Sequence, residues 1–215
     1  MRPVNVFIDF DNTITTIDVF DDMVLKFSRN GAWKKLEQDW QEGKIGSRAC
    51  LAGQIKDVRI RKNELNTYLA GIPLDRYFKK LVTLLLKKKI KTVVLSDNFD
   101  YLLKHILHKN GSKHLKVFSN KVRFSGNRLI PSFPFKDSRC HLCAHCKTKN
   151  LLANRDKNSI IIYIGDGRSD ICPATYADIV FAKQELLKLC KERNISCIPF
   201  KSLRKVYTYL KEHLR

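Results

Sequence analysis

The chain has 215 residues, 44% of them hydrophobic, which is enough to fill the core of one domain with a smaller accessory unit and excludes wholesale disorder. Its 41 Lys and Arg against 21 Asp and Glu give a formal net charge of +20, so the protein attracts anions such as phosphorylated metabolites, nucleic acid or acidic membrane surfaces. No apolar run approaches the roughly 20 residues that a membrane-spanning helix needs.

The first predicted element is a buried strand at residues 4–8, a run rich in β-branched and aromatic side chains. The run stops at Asp9 and lacks the features of a secretory signal, so we expect a cytoplasmic protein whose seven cysteines are reduced or bound to metal. From about residue 18 to residue 89, apolar side chains recur at helical spacing, with glycine-containing breaks between segments. This stretch predicts a block of helices.

Beyond the helical block, strand and helix patterns alternate along the chain. Predicted strands cover 91–95, 159–164, 178–181 and 196–198, and a predicted hairpin covers 121–133. This alternation predicts an α/β fold in which helices cover both faces of a parallel sheet. Ligands of such sheets bind beyond the carboxyl ends of the strands.

Acidic and hydroxyl residues follow three of the predicted strands. They are, in chain order, Asp9 and Asp11, then Ser96 and Asp97, then Asp166 and Asp170. Because parallel strands end at one edge of the sheet, the carboxylates converge there and repel one another unless a cation lies among them. A ligand set made only of oxygen atoms suits Mg²⁺, which substrate phosphate completes.

Asp9 and Asp11 are two positions apart, so in an extended segment their side chains share one face. One carboxylate can attack a phosphorus atom while the other, kept protonated, donates to the leaving oxygen. The sequence Asp-Asn-Thr is also common in turns and helix caps, so this pair alone does not decide between a catalytic site and a structural turn. The segment 165–170, with two glycines after a buried strand, is open to the same alternative of a cap and a surface turn.

Four segments together resemble the ordered motifs of haloacid dehalogenase-like phosphatases. They are Asp9-Phe10-Asp11-Asn12-Thr13, Ser96, Lys147 and Gly165-Asp166-Gly167-Arg168-Ser169-Asp170. The resemblance covers essentially the whole chain and implies a Rossmann-like core domain made of residues 1–14 and 88–215. It also implies a helical cap at residues 15–87, inserted after the first motif as in the phosphoserine phosphatase subgroup.

The resemblance further implies the roles of individual residues. Asp9 is then the nucleophile, Asp11 the general acid and later the base, and Ser96 and Lys147 bind the transferring phosphoryl group. Lys149 is the alternative to Lys147, although the Cys146-Lys147 step before an apolar helix is more similar to the family.

The same resemblance implies a Mg²⁺ ion held by the Asp9 carboxylate, the carbonyl of Asp11 and Asp166. Asp170 then either binds this ion directly or holds the residues that bind it.

Cap residues bear on the substrate, which we expect to be a small phosphorylated metabolite. Trp33, Asp39-Trp40 and Gly43-Lys44-Ile45 resemble the cap of phosphatases that act on 2-hydroxy-3-keto-5-methylthiopentenyl-1-phosphate in methionine salvage. Phosphoserine and phosphoethanolamine or phosphocholine phosphatases are the alternatives. Candidate substrate-binding residues are Asp18, Arg48, Ser96, Asp97 and Lys147, with Trp40 and Arg59 as further cap candidates. An arginine there suits a second acidic group on the substrate.

Cys140, Cys143 and Cys146 form a C-x-x-C-x-x-C run with His141 and His145 between them. Such soft ligands can hold structural Zn²⁺, with Cys50 or Cys172 as a further thiolate, and plain reduced thiols are the alternative. Together with the positive charge, this run raises a different hypothesis, a basic nucleic-acid-binding protein with a small zinc element. That hypothesis leaves the acidic clusters unexplained.

Overall fold

The computed structural model describes residues 2–137, 140 and 143–214. Within them a seven-stranded sheet has the order β4-β3-β2-β1-β5-β6-β7. The strands are β1 (Val4–Ile8), β2 (Lys91–Phe99), β3 (Lys116–Ser125), β4 (Arg128–Ser132), β5 (Ile160–Gly165), β6 (Ile179–Ala182) and β7 (Ile198–Pro199). All neighbouring pairs are parallel except the β3–β4 hairpin. The parallel arrangement and the predicted hairpin are therefore confirmed.

The helices are α1 (Val19–Phe27), α2 (Ala32–Gln41), α3 (Ser47–Asp57), α4 (Lys62–Ala70), α5 (Phe78–Lys87), α6 (Asp100–Lys109), α7 (Lys147–Asn154), α8 (Ile171–Ala174), α9 (Gln184–Glu192) and α10 (Leu203–His213). A short 3₁₀ turn, Arg168–Asp170, precedes α8. The predicted helical block thus becomes α1 to α5, all inserted between β1 and β2. In the described residues, no helix is long and apolar enough to cross a membrane.

Side chains of β1 alternate between two separate apolar clusters, as the two-residue period of a strand requires. Val6 and Ile8 belong to the larger cluster, which also contains apolar residues of α5, α6 and α10. Phe7 belongs to the smaller cluster, formed with apolar residues of α7, α8 and α9. Helices therefore cover both faces of the sheet, and the predicted α/β class with a Rossmann-like core is confirmed.

The inserted helices do not all occupy the same layer. Helices α2 and α3 pack tightly together, and a Cβ atom at Gly53 would contact the Leu36 side chain at 2.6 Å. Helix α5 instead packs against β2 and α10, in the layer that covers the sheet. An isolated antiparallel bridge between Thr15 and Leu74 joins the two ends of the segment that holds α1 to α4.

One predicted boundary is wrong in a way that affects the site. Ser96 and Asp97 were expected after the second strand, but β2 continues through both of them to Phe99. The pairing of β2 with β3 shifts register between Leu95 and Phe99. This irregularity lets the strand continue while its polar side chains reach the edge where the other acidic residues lie.

Candidate active site

The carboxyl ends of β1, β2 and β5 meet in the middle of the sheet and carry the predicted acidic residues. The backbone N–H of Asp9 donates to the carbonyl of Ile164 at 2.9 Å, which continues the β1–β5 pairing into the site. Asp9 and Asp166 are each 6% exposed, and Asp170 is fully buried. The topology therefore brings Asp9 next to Asp166 and Asp170, which lie more than 150 positions further along the chain.

Lys147, the first residue of α7, provides a buried positive charge. Its Nζ donates to Asp9 Oδ1 at 2.6 Å and to Asp170 Oδ1 at 2.7 Å. Burial disfavours its charged form, but Asp170 and Asp9 outweigh burial and raise the pKa of Lys147 well above its ordinary value. Lys149, the alternative from the sequence, is exposed. The geometry thus favours Lys147.

Asp170 holds its neighbours through both of its oxygens. Besides Lys147, Oδ1 accepts the hydroxyl of Tyr163 at 2.6 Å, while Oδ2 accepts the backbone N–H groups of Asp166 and Gly167 at 3.0 Å each. A Cβ at Gly165 would clash with this carboxylate, so the close approach requires glycine there. Sequence reasoning missed Tyr163, because a buried aromatic side chain in a strand normally indicates only core packing.

Oxygen atoms of Asp9, Asp166 and Asp170 lie within 4.8 Å of one another, close enough to surround one cation. Burial, followed by repulsion from Asp170, raises the pKa of Asp9 well above its ordinary range and that of Asp166 to about 6. Thr13, which was not predicted, donates its hydroxyl to Asp166 Oδ1 at 2.9 Å. A set of buried carboxylates that repel one another fits a divalent cation with a preference for oxygen ligands.

Asp11 has partners of a different kind. Its Oδ1 accepts the backbone N–H of Val19 at 2.9 Å, and both oxygens accept the Asn98 side-chain amide at 3.1 and 3.2 Å. Burial, followed by the charge of Asp18, raises the pKa of Asp11 well above its ordinary value. Asp9 thus faces an ammonium, whereas Asp11 accepts hydrogen bonds from neutral donors, which lower its pKa without outweighing its burial.

Ser96 and Asp97 lie beside these groups on β2. Ser96 is fully buried, its hydroxyl donates to Asp11 Oδ2 at 3.4 Å, and it accepts the backbone N–H of Asn98 at 3.0 Å. Burial raises the pKa of Asp97 to about 6. Asn98 was missed by the sequence analysis, although its position directly after two predicted site residues is the signal that could have indicated it.

A cavity of about 170 Å³ lies between the strand ends and the inserted helices. Its core side is lined by Asp9, Asp11, Asn12, Asp97, Asn98, Asp166, Gly167, Arg168 and Ser169, and its cap side by Asp18, Phe20, Asp21, Glu37, Trp40, Ser47, Cys50, Leu51 and Gln54. The predicted cap residues Asp18 and Trp40 therefore line the cavity. Arg48 and Arg59 do not, and the neighbouring Ser47 lines it instead.

The cap side of the cavity is acidic rather than basic. Asp18 caps α1 by accepting the backbone N–H of Asp21 at 2.9 Å. Burial, then the charges of Asp18 and Glu37, raises the pKa of Asp21 to about 7. Among the described residues that line the cavity, Arg168 is the sole basic side chain, and its guanidinium lies over the Trp40 ring at 5.8 Å. Neither Arg48 nor Arg59, the predicted cap arginines suited to a second acidic group on the substrate, belongs to this described lining.

The cysteine run lies next to this site, before α7. Sγ of Cys140 and Sγ of Cys143 are 3.8 Å apart, and Cys146 is the residue that precedes Lys147 at the start of α7. His141 lies outside the described residues. His145 is buried against Asn150 at 2.9 Å, and burial, followed by the charge of Lys147, lowers the pKa of His145 to about 3.

Comparison with known proteins finds similarity to phosphatases over most of the chain. The model of the family described as Putative Phosphatase matches residues 4–194. The 2-hydroxy-3-keto-5-methylthiopentenyl-1-phosphate phosphatase of Bacillus thuringiensis subsp. konkukian (strain 97-27) is 27% identical over 214 residues, which cover 98% of this chain and 97% of that protein.

Solved structures share the fold. A phospho-aspartyl intermediate analogue of phosphoserine phosphatase superposes with a TM-score of 0.74 at 18% identity and covers 97% of this chain and 99% of its own. A HAD family hydrolase from Salmonella enterica subsp. enterica serovar Typhi superposes with a TM-score of 0.76 at 20% identity, covering 99% of this chain and 73% of its own. The strand order and the inserted helices are thus features of a known architecture.

Proposed function

We propose a reaction for this chain, which belongs to the Putative Phosphatase family and has the fold of haloacid dehalogenase-like phosphatases. The protein is a phosphatase, as predicted, and the comparisons do not favour the nucleic-acid-binding alternative. The reaction is hydrolysis of a small phosphomonoester through an aspartyl-phosphate on Asp9. The observation that supports this reaction best is the buried contact between Lys147 and Asp9 at the carboxyl ends of the strands.

Asp9 attacks the phosphorus atom in its deprotonated form, which Lys147 favours and orients against the burial and the neighbouring carboxylates that raise the pKa of Asp9. The bond from phosphorus to the leaving oxygen then breaks. Lys147 and the hydroxyl of Ser96 balance and bind the transferring group, and Asp97 lies at the same edge to position the substrate. Catalysis of this kind works by positioning and electrostatics, as a loose transition state requires.

Asp11 supplies the proton to the leaving alcohol oxygen, and it later accepts a proton from the water that attacks the aspartyl-phosphate. Its raised pKa supports the first step, since a carboxyl that gives up its proton less readily than usual can deliver it as an acid. The Asn98 amide and the Val19 N–H orient it for both steps.

Mg²⁺ is the cation that fits the oxygen ligands at the site. Asp9 and Asp166 would hold it, together with the carbonyl of Asp11, and Asp170 would act through Lys147 and the backbone of Asp166 because its own oxygens already accept four hydrogen bonds. When bound, the ion supplies positive charge for the phosphoryl oxygens.

The cap encloses the substrate, and we assign it a shorter range than the sequence indicates. Residues 1–14 and 88–215 were expected to form the core and residues 15–87 the cap. Because α5 packs with β2 and α10, we propose that the cap ends near Leu74, where the chain pairs with Thr15, and that α5 belongs to the core.

The first substrate candidate is 2-hydroxy-3-keto-5-methylthiopentenyl-1-phosphate, the substrate in the name of the bacterial relative. Phe20 and Leu51 offer apolar contacts that suit its methylthio end. A second candidate class, phosphomonoesters with an ammonium group such as phosphoethanolamine, phosphocholine or phosphoserine, is favoured by the carboxylates of Asp18, Asp21 and Glu37 on the cap side.

The mechanism is tested with phosphomonoester turnover in the presence of Mg²⁺ or a chelator. Wild-type protein is expected to turn over with Mg²⁺ only, and acid-quenched protein to carry hydroxylamine-sensitive phosphate. Asp9→Asn is expected to lose activity by at least roughly 10³-fold and to carry no phosphate. Equal activity of the two proteins would disprove the mechanism.

The substrate is tested with a panel that contains both candidate classes. If the substrate carries an ammonium group, Glu37→Gln is expected to raise KM for that substrate by about 2- to 5-fold, the worth of a partly screened ion pair, with little change in kcat. If the methionine-salvage intermediate is the substrate, the same variant leaves its KM unchanged.

A further inference from the structure

Four cysteines lie around the segment that leads into α7. Cys140 and Cys143 contact each other through their sulfur atoms at 3.8 Å. Cys172, in α8, lies within electrostatic reach of Cys143, Cys140 and Cys146. Helices α7 and α8 pack against each other, which brings Cys146, just before α7, towards Cys172 in α8. These thiols have no part in the phosphatase chemistry described above.

The spacing and the distance both match a zinc site. Two cysteines in a C-x-x-C run present their sulfurs to one ion, and a third follows here at the same interval. Two thiolates bound at about 2.3 Å to a tetrahedral zinc ion are about 3.8 Å apart. The Cys140–Cys143 pair already has this separation.

We propose that Cys140, Cys143, Cys146 and Cys172 bind one structural zinc ion. In the described residues only the aspartate group brings three ligand atoms within 4.8 Å, so Cys146 and Cys172 must turn their sulfurs inward to complete the site. Cys172 is exposed and Cys146 partly so, which leaves both side chains room to change χ1 rotamer.

Charges near the four thiols are mixed. Arg193 interacts favourably with a thiolate at Cys172, whereas Asp97 opposes one at Cys143. A divalent ion overrides this opposition, because coordination removes the thiol proton outright. Four thiolates on a structural zinc leave no open position, so the ion holds the chain together and does not react.

The zinc ion would join two segments that the active site depends on. Cys146 directly precedes Lys147, and Cys172 follows Asp170 by two residues. Lys147 and Asp170 are paired at 2.7 Å, so the ion would fix the backbone on both sides of this ion pair. The site is therefore a positioning device for catalytic groups, separate from the cation site at Asp9.

The test is the metal content of the full-length protein after dialysis against a weak chelator. Elemental analysis is expected to give about one zinc ion per chain, released in step with thiol modification by a mercurial reagent. Growth with Co²⁺ is expected to give a cobalt protein with the absorption bands of tetrahedral thiolate coordination. Both measurements use the wild-type chain, so they do not depend on whether a variant folds.

Cysteine variants assign the ligands. Cys172→Ser and Cys143→Ser are expected to lose about nine-tenths of the zinc, whereas the control Cys197→Ser, at a partly buried position next to Cys190, keeps it. Wild-type protein without zinc or cobalt bands overturns the proposal, as does a Cys140–Cys143 disulfide in its place. Equal zinc in Cys172→Ser and wild-type protein overturns the four-thiolate site. All of these outcomes are read from metal content, spectra or thiol state, so failure of this proposal is distinguishable from failure of the phosphatase mechanism, which Asp9→Asn tests.

Discussion

Nζ of Lys147 lies 2.6 Å from Oδ1 of Asp9, although the two residues are 138 positions apart in the chain. Helix α7 begins at Lys147 and β1 ends just before Asp9, so the contact joins a helix start to a strand end across the sheet edge. Both groups are almost fully buried. A buried pair of this kind contributes little net stability, but removal of one partner leaves a costly unpaired charge.

Lys147→Met is expected to lower kcat by at least roughly 10²-fold, since the proposed mechanism uses this ammonium to stabilise the transferring phosphoryl group. It is also expected to reduce the free energy of unfolding by about 3–5 kcal/mol, because Asp9 and Asp170 lose their shared cation. Steady-state kinetics and urea unfolding measure the two effects. The matched control is Lys149→Met, two residues along the same helix and exposed, which should change neither quantity. Similar losses in both variants would contradict the assignment.

Asp11→Asn is expected to lower kcat/KM by about 10²–10⁴-fold for alkyl phosphates, whose leaving alkoxide needs a proton. The loss should be much smaller for p-nitrophenyl phosphate, whose leaving group departs without protonation. The amide still accepts hydrogen bonds from Val19 and Asn98 in part, so the fold should survive. An equal loss on both substrates would show that Asp11 is not a general acid.

Asp21→Asn is expected to stabilise the protein more at pH 8 than at pH 5. The pKa of Asp21 is raised from 3.8 to about 7 in the folded state, mainly by burial and then by Asp18 and Glu37. Between about pH 4 and pH 7 the folded chain therefore holds a proton that the unfolded chain has lost, and stability falls as the pH rises through this window. Thermal unfolding of the variant and the wild type at both pH values measures the difference.

The contrast for that experiment is Asp22, the next residue on α1. Burial by itself would raise the pKa of Asp22, but hydrogen bonds from Lys26 and Tyr68 outweigh burial, so the pKa is lowered. Its contribution to stability is thus present above the ordinary pKa of a carboxyl and lost as the pH falls. Asp22→Asn should therefore be destabilising at pH 8, the opposite sign to Asp21→Asn.

Gly165→Ala is expected to destabilise the protein by about 1–3 kcal/mol and to reduce activity, because the new methyl group overlaps the Asp170 carboxylate. Displacement of Asp170 disturbs both Lys147 and the backbone of Asp166. Gly167→Ala is the control in the same turn, since a Cβ there meets no atom within 4 Å. If Gly167→Ala proved as harmful as Gly165→Ala, the effect would come from the backbone and not from Asp170.

The architecture of the core could be predicted from local patterns. The Ile-rich run at 159–164 and the run at 4–8 became the central strands because each carries buried side chains on both faces of a parallel sheet. Once those strands are parallel, Asp9 and Asp166 must share an edge, so the acidic site follows from topology alone. The prediction failed at Ser96, where a register shift that no composition signal announces carries the strand onward.

The cap could not be predicted at the level of individual side chains. Glu37 and Trp40 belong to α2 and Arg48 to α3, and only the packing of these two helices decides which of the three side chains face the cavity. That packing depends on contacts such as Gly53 against Leu36, which a sequence pattern does not encode. The exclusion of Arg48 and the inclusion of Glu37 reverse the expected charge of the cavity wall.

By itself, the sequence determined the α/β class, the order of the motifs and the convergence of the carboxylates, because strand periodicity and glycine positions act locally. Only the tertiary structure decided which partner each polar group has: Lys147 rather than Lys149 on Asp9, Asp170 bound by Tyr163, and Asp11 held by Asn98. These choices depend on distances between elements far apart in the chain. A difference of one helical turn in packing changes such distances without any change in local pattern.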